Sequence, residues 1–410
     1  MLVDEFDIVK TYFTAAAAAV ITPPMALAEP LPESAGTLAD PETGGTLIID
    51  LAAIAANWRA LARQALTVEC AAVVKANGYG MGIEPVTTTL AAAGCKTFFV
   101  ADLAEARRVR TRARDATVYV LDGCTPEGSP AFVELNARPV INSMTELAEW
   151  DAFVAARNWQ GGAALQVDTG MNRLGISPDE AAALAPRTQT ENHGIALLMS
   201  HLACAELADH PLTVSQIKLF RDLRALYRGI PASLANSSGI FLGDSALCDL
   251  VRPGAALYGV NPTPGKPNPM QGVVELSGRI LQIRSVAEGQ AVGYGATWTA
   301  KRASRLAVVA VGYADGLMRA ASASDSAPGG MAIVAQKPCP FAGRISMDLV
   351  CVDVTDLPDG TVHRGDVATF IGGSIAIDDF AAAAGTIGYE VLTRLGMRCH
   401  LVYRGLDANP

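Results

Sequence analysis

Lys75 ends a short apolar run, Ala71-Ala72-Val73-Val74, and is followed at once by Ala76-Asn77-Gly78-Tyr79-Gly80-Met81-Gly82. A lysine at the C-terminal end of a buried strand holds its amine where water is scarce, which favours the neutral form. A neutral amine can condense with an aldehyde cofactor and later serve as a base. The glycines after Asn77 let the backbone turn sharply, and Tyr79 offers a hydroxyl. Taken alone, the stretch equally describes a surface lysine opening a Gly-rich loop, so its meaning rests on what the remainder of the chain places around it.

The elements that must position this lysine are legible as a pattern. From Thr46 to about Gln271, strand-like apolar runs alternate with helical ones. The expected strands are Leu47–Asp50, Ala71–Lys75, Thr97–Ala101, Thr117–Leu121, Arg138–Ile141, Ala163–Val167, Ile195–Met199 and Ala246–Val251. Helices are expected between them, among them Leu51–Leu66, Ile83–Ala93, Leu103–Arg114, Met144–Asn158, Pro178–Ala185 and Pro211–Tyr227. Repeated strand–helix alternation predicts a parallel α/β domain, and its spacing suits either a (β/α)₈ barrel or a doubly wound sheet. The run Asn261-Pro262-Thr263-Pro264-Gly265-Lys266-Pro267-Asn268-Pro269 can form neither helix nor central strand and reads as a connector. Beyond it, short β-branched runs separated by Gly and Pro predict a smaller, mainly β domain with one late helix near Asp378–Ala384. The expected boundaries are an N-terminal extension over 1–45, the α/β domain over 46–272 and the β domain over 273–410.

Composition narrows the function classes. With 32 basic and 41 acidic residues the net charge is −9. The one basic run, Arg107 to Arg112, is interleaved with Val and Thr on an expected helix, so nucleic acid is not an expected partner. Eight scattered cysteines without a Cys-x-x-Cys predict neither a disulfide framework nor a metal site, and fit a reducing cytoplasm. Residues 1–28 hold an Ala-rich run and an Ala-x-Ala-like end, but Asp4, Glu5 and Asp7 give the wrong sign for a secretory signal. The expected location is therefore the cytoplasm, and the periplasm only if that segment is a cleaved signal. No run is long and unbroken enough to predict a membrane span.

Val73-Val74-Lys75-Ala76-Asn77-Gly78-Tyr79-Gly80 resembles the pyridoxal 5'-phosphate lysine segment of the alanine racemase family. Further segments resemble that family in the same order: Asp168-Thr169-Gly170-Met171-Asn172-Arg173, Ser200-His201-Leu202-Ala203, Ala235-Asn236-Ser237-Ser238-Gly239 and Arg252-Pro253-Gly254-Ala255. They continue with Gly293-Tyr294-Gly295, Gly312-Tyr313-Ala314-Asp315, Arg344-Ile345-Ser346-Met347-Asp348 and Tyr389-Glu390-Val391. The resemblance covers roughly residue 46 to the C-terminus, and so many short motifs in order are far more specific than any one of them. It implies that the α/β domain is a (β/α)₈ TIM-type barrel followed by a mainly β domain.

The resemblance also implies roles. Racemising an amino acid needs an electron sink on the Cα, which pyridoxal phosphate supplies, and an acid–base group on each face. Lys75 and Tyr294 are implied as that pair. A phenol with an unperturbed pKa near ~10 needs cationic neighbours to act as a base near neutrality, and Arg173 and His201 match positions that contribute them. Arg252 matches the arginine facing the pyridine nitrogen. Tyr79, Asn236, Ser237, Tyr389 and the amides of Gly254 and Ala255 match cofactor-binding positions. Arg173 and the amide of Met347 are implied for the substrate carboxylate, with Tyr313 restricting substrate size and Asp348 near the entrance. Two departures stand out. Gln166 occupies a position where many members carry a carbamylated lysine, leaving Arg173 to be held by a neutral amide. Ser346 stands where cysteine is frequent, and little effect is expected.

The implied activity is interconversion of L- and D-alanine, supplying D-alanine for peptidoglycan or catabolising it, by a homodimer with active sites shared between subunits. A broad-specificity racemase is the runner-up, favoured by an exported chain. A fold-related pyridoxal-phosphate decarboxylase is disfavoured by Arg252, because such enzymes place a carboxylate at the ring nitrogen. A non-catalytic pyridoxal-phosphate-binding barrel is disfavoured by the β domain.

Overall fold

The structure, a computed structural model, describes residues 40, 42–189, 194–396 and 398–405. The expected N-terminal extension and its export-signal alternative lie almost wholly outside the described residues.

Eight parallel strands close a ring. The first spans Glu69–Cys70 and Ala72–Val73, and it is followed by Thr97–Val100, Thr117–Val120, Ala137–Ile141, Ala163–Gln166, Ile195–Met199, Ala232–Ser233 and Leu250–Val251. Each pairs with the next in parallel as far as Ala232–Ser233. The amides of Asp249 and Arg252 then donate to the carbonyls of Ala232 and Ala235. Leu250–Val251 pairs with Glu69–Cys70 and completes the circle. Buried on both faces, such strands read as near-continuous apolar runs rather than alternations; Phe98, Phe99, Val118, Leu165 and Leu198 are all essentially inaccessible to solvent. The (β/α)₈ alternative is therefore the one realised, and the doubly wound sheet is not.

Eight strands were expected, but not these eight. Gly45–Asp50 leaves the ring for the other domain, pairing antiparallel with the long strand Val274–Val286 and parallel with His400–Arg404. Alternation identifies a strand followed by a helix; it carries no information about the strand's hydrogen-bonding partner. Asp50 ends this strand and caps the helix Leu51–Gln64 through its side chain, so one residue joins the two domains. The strand that takes its place, Ala232–Ser233, is too short to show any periodicity. The run Ala246–Val251 also divides: Asp244–Leu247 is a short helix and only Leu250–Val251 is strand.

The β domain is organised on Val274–Val286. It pairs with Ser304–Val309, Val367–Ile371 and Gly45–Asp50, and a bulge between Ile280 and Gln282 lets it serve two groups of strands. Two helices, Ile377–Ala383 and Gly388–Arg394, complete it; the second is absent from the sequence expectation, and it carries Tyr389. It also meets the barrel mouth: the Gly80 backbone abuts the Leu392 carbonyl, and the Tyr403 hydroxyl donates to the Met81 carbonyl.

Among the described residues the eight cysteines are free thiols, and no group of three His, Cys, Asp or Glu side chains could hold a metal ion. No helix there is long and apolar enough to cross a membrane.

Leu47, fully buried between Leu276 and Leu401 in the β sheet, offers a test of the strand exchange. Leu47→Ala should cost about 2–5 kcal/mol by the usual transfer and cavity cost of a core truncation, read as a lower urea midpoint at unchanged m-value. A loss within ~0.5 kcal/mol, the range of ordinary surface substitutions, would place Leu47 outside a packed sheet.

Candidate active site

Lys75 stands just past the end of the first barrel strand, where the backbone does something unusual. Ala76, Asn77, Gly78, Tyr79 and Gly80 all have positive φ, between 53° and 84°, and form a single turn of left-handed helix. It has its own ladder: the amides of Gly78, Gly80 and Gly82 donate to the carbonyls of Val74, Ala76 and Asn77. For the three residues that carry a Cβ, this conformation costs roughly 1–2 kcal/mol each. Strain of this kind persists only where its surroundings hold it, and it clusters at functional sites. The holding is visible. The Asn77 amide donates to Glu105 Oε1 at 2.8 Å, and Asn77 Oδ1 accepts from the Ile83 amide at 3.2 Å. The Tyr79 ring is buried and stacks on Tyr258 at 4.6 Å, with Tyr389 from the β-domain helix 6.3 Å away.

Opposite this turn the ends of the later strands present a buried cation. Arg252 lies on the barrel interior, 4 % exposed. Its guanidinium donates to Ser233 Oγ and to the Ser200 carbonyl, and packs over the Phe99 ring. No carboxylate pairs with it among the described residues. Burial lowers its pKa to about 10, which leaves it protonated at neutral pH. His201 Nδ1 sits 3.4 Å from Arg252 Nη2. Burial first, then Arg252, Arg173 and Lys75, push His201 down to about 3, so the imidazole is neutral. Burial and the Arg173 charge also lower the Lys75 ammonium from its ordinary value, with Asp122 and Glu105 opposing them. Several cationic groups thus converge on one small region.

Beside them lies a cluster of donors. Ser237 Oγ takes the amides of Gly254 and Ala256 at 3.0 and 3.2 Å, and Ala255 is buried between them. A Cβ on Gly254 would run into the Tyr79 hydroxyl, so glycine is required for the close approach of these two segments. Burial raises the Tyr79 and Tyr389 phenols above the ordinary value, Tyr389 to about 12, which keeps both as hydroxyl donors. Hydroxyls and amides beside uncompensated cations form a donor set suited to an anionic phosphate carrying a flat ring. Asn236 contributes locally: its Oδ1 accepts from the Gly239 amide and shapes the Ser237 loop.

Arg173 lies on an exposed loop held from beneath. Asp168 Oδ1 accepts the amides of Gly170 and Met171, and Thr169 Oγ1 bonds to Ser200 Oγ at 2.8 Å. Gln216 joins this network through Thr169, Ala203 and the His201 carbonyl. The expectation that Gln166 holds Arg173 is not met. Its Nε2 donates to the Leu174 carbonyl at 3.1 Å and fixes the loop backbone instead. The short amide side chain finds a carbonyl within reach and needs no charged partner.

The remaining expected residues lie on the β domain and are exposed in the single chain. Tyr294 is 72 % exposed, Met347 53 % and Tyr313 41 %. They share the β domain with one another, on three interlocked loops. The amides of Tyr313 and Ala314 donate to the carbonyls of Ser346 and Met347, and the Tyr294 loop packs on Arg344. Ser346 Oγ closes its own turn by donating to the Leu349 carbonyl at 2.8 Å. Arg398 grips buried Asp315 with two nitrogens and reaches Asp348 with a third. Arg398 and Asp315 escaped the sequence reading as a pair, because 83 residues separate them. Glu105 also escaped it, although Asp102-Leu103-Ala104-Glu105 has the spacing of a helix N-cap followed by an acidic third position.

Comparison with known proteins agrees with this geometry. The model of the alanine racemase N-terminal domain matches residues 49–262, and that of the alanine racemase C-terminal domain matches 273–403. An alanine racemase of Methylobacterium sp. (strain 4-46) is 50 % identical over 360 residues, covering 88 % of this chain and 98 % of that protein. The crystal structure of the Bartonella henselae alanine racemase with covalently bound pyridoxal phosphate superposes with a TM-score of 0.82 at 36 % identity, covering 88 % of this chain and 99 % of that one. The biosynthetic alanine racemase of Pseudomonas aeruginosa gives a TM-score of 0.81 at 34 % identity, covering 88 % and all of that chain. A left-handed lysine turn facing a carboxylate-free buried arginine, on a barrel followed by a β domain, is thus found in a chain that belongs to the alanine racemase family.

Proposed function

We propose that this protein is an alanine racemase that uses pyridoxal 5'-phosphate, with Lys75 and Tyr294 as its two acid–base groups. The observation that carries the proposal is Arg252: a permanently charged, buried guanidinium with no carboxylate beside it, facing the lysine turn. When bound, pyridoxal phosphate supplies the electron sink that makes the Cα proton removable.

The chain's own residues supply the rest. Lys75 would hold the cofactor covalently and, once released by the substrate amine, take or return a proton at one face of the Cα. Its lowered pKa raises the fraction of free amine available near neutral pH. Tyr79, Ser237, Tyr389 and the amides of Gly254 and Ala255 would bind the phosphate. Arg252 would face the ring nitrogen, and a guanidinium that stays charged cannot hand that nitrogen a proton. Arg252 would thereby leave a bound ring a weaker sink, which would favour reprotonation over side reactions and is the wrong arrangement for a decarboxylase. Neutral His201 and the Arg173 charge set the local field. Arg173 and the Met347 amide would hold the substrate carboxylate, and Tyr313 would limit side-chain size.

Tyr294, Met347 and Tyr313 are exposed in a single chain, while the lysine turn faces the barrel mouth. A homodimer in which one subunit's β-domain loops cover the other's barrel brings the two halves together. The enantiomers of alanine have equal free energy, so the site itself favours neither biosynthesis nor catabolism.

Borohydride reduction of the cofactor-loaded protein should fix the label on the peptide containing Lys75; label on another lysine removes the assignment. The two bases separate by direction. Tyr294→Phe should slow proton removal from L-alanine by ~10²–10⁴-fold, the usual worth of a general base, with a much smaller effect on exchange of the D-alanine Cα proton with solvent. Equal small losses in both directions would point to a different base. Sharing of the site is tested by mixing inactive Lys75→Ala and Tyr294→Phe chains. Each heterodimer should regain one intact site, because Lys75 comes from one subunit and Tyr294 from the other. Mixtures that stay inactive although heterodimers form would place both residues in one chain.

A further inference from the structure

Two helices of the barrel begin with the same device, and only one of them touches the lysine turn. Asp102 caps the helix Leu103–Arg112 by accepting the Glu105 amide, and Ser143 caps Met144–Arg157 by accepting the Glu146 amide. In an ordinary capping box the acidic side chain at the third position folds back onto its own N-cap amide. Glu180 does so here, accepting both the amide and the hydroxyl of Ser177. Glu105 and Glu146 do something else. Glu105 Oε2 accepts the amide of Ala101, at the end of its own barrel strand, and Oε1 accepts the amide of Asn77 in the neighbouring loop. Glu146 likewise accepts Asn142 at the end of its own strand and Cys124 in the neighbouring loop. Each carboxylate therefore ties two adjacent strand-to-helix loops together at the mouth of the barrel. The Glu146 clamp lies further round the barrel, holding the loop that carries Asp122, and makes no contact with the lysine turn. The Glu105 clamp holds the left-handed turn that begins at Lys75.

We propose that Glu105 is a positioning residue for Lys75, its two carboxylate oxygens pinning the strained left-handed turn against the end of the neighbouring strand so that the amine is presented to the barrel mouth. The inference rests on Lys75 being the cofactor lysine. Ala76, Asn77 and Tyr79 would each relax from positive φ without an external tether, and Glu105 supplies that tether at the Asn77 amide. A charge-assisted bond from a carboxylate to a backbone amide is about twice as strong as a neutral one. The same carboxylate acts on Lys75 through space. The charged groups acting on the ammonium are Arg173, which lowers its pKa, and Asp122 and Glu105, which oppose that lowering, while Lys75 in turn acts on His201. Glu105 thus bears on both the position and the protonation of the amine, its charge adding to that of Asp122.

The test uses the full-length chain stripped of cofactor and recombined with pyridoxal phosphate across a pH series, following the absorbance of the lysine-bound form. The rate reports the free Lys75 amine, and its plateau at high pH reports how well the amine is presented. Glu105→Gln removes the charge and puts a donor NH₂ where one of the two acceptors is needed; the midpoint of its profile should move to lower pH and its plateau should fall. A displacement of about 1 Å in a reacting group costs up to ~10²-fold, so a fall of at least ~10-fold is expected. Glu105→Asp keeps the charge but is one methylene too short to span both amides, so its midpoint should stay near the wild-type value while its plateau falls. Glu146→Gln should lower the thermal midpoint of the protein and leave the high-pH plateau of Lys75 at its wild-type level, since Glu146 does not touch the lysine turn. Glu105 variants with wild-type profiles and plateaus would overturn the proposal, as would a fall in the Glu146→Gln plateau equal to that of Glu105→Gln. If borohydride labels a different lysine in the wild-type protein, it is the reading of Lys75 that fails, and that result is separate from either outcome.

Discussion

A guanidinium buried without a carboxylate beside it is the constraint around which this site is arranged. Removing a single charge from water costs several kcal/mol even after relaxation. Arg252 recovers part of that through Ser233 Oγ and the Ser200 carbonyl, which lie at the ends of neighbouring barrel strands. Its own amide bonds to Ala235 as the ring closes. The residue that completes the barrel is thus also the one that charges its interior. Its charge adds to burial in keeping His201 neutral, while the Lys75 ammonium loses part of its stability to its own burial and to Arg173. The hydroxyls and amides around Ser237 and Gly254 sit where an anion would be drawn. A carboxylate partner for Arg252 would stabilise the empty fold and cancel this field.

The second constraint is conformational. A lysine on a regular strand end would share the direction of its neighbours. The left-handed turn redirects the chain at once and sends Tyr79 back to stack on Tyr258. Glycine supplies only two of its five residues, so the other three are held by contacts from outside, chiefly Glu105, the Ile83 amide and the helix Gly388–Arg394. The β domain therefore has two relations to the barrel of its own chain. Through Tyr389 and Tyr403 it braces the lysine turn, and through Tyr294, Tyr313 and Met347 it offers an exposed, interlocked face. Proton exchange on both faces of one carbon requires groups from opposite sides of a flat cofactor. A fold that puts one set inside a barrel mouth and the other on a separate domain's surface would meet that need through the second subunit proposed above.

Much of this was legible in the chain. Lys75, Tyr79, His201, Ser237, Arg252, Gly254 and Tyr389 are implied by the family resemblance of short ordered motifs, and in the structure they are linked by contacts and charge interactions at one end of the barrel. The α/β alternation and the proline-dense connector foretell two domains. Residue order alone determined this much, because glycine placement, apolar runs and proline density act locally, within a turn or a strand. What only the tertiary structure decided concerns pairing at a distance. Gly45–Asp50 reads as a barrel strand and belongs to the β sheet, since its partners lie some 230 and 350 residues downstream. Ala232–Ser233 enters the barrel with too few residues to announce itself. Gln166 turns to a loop carbonyl rather than to Arg173, and Glu105 reaches sideways to Asn77 rather than back to its own cap. In each case the choice between two chemically acceptable partners depended on which backbone group lay within hydrogen-bond reach, and folding of the whole chain sets that distance.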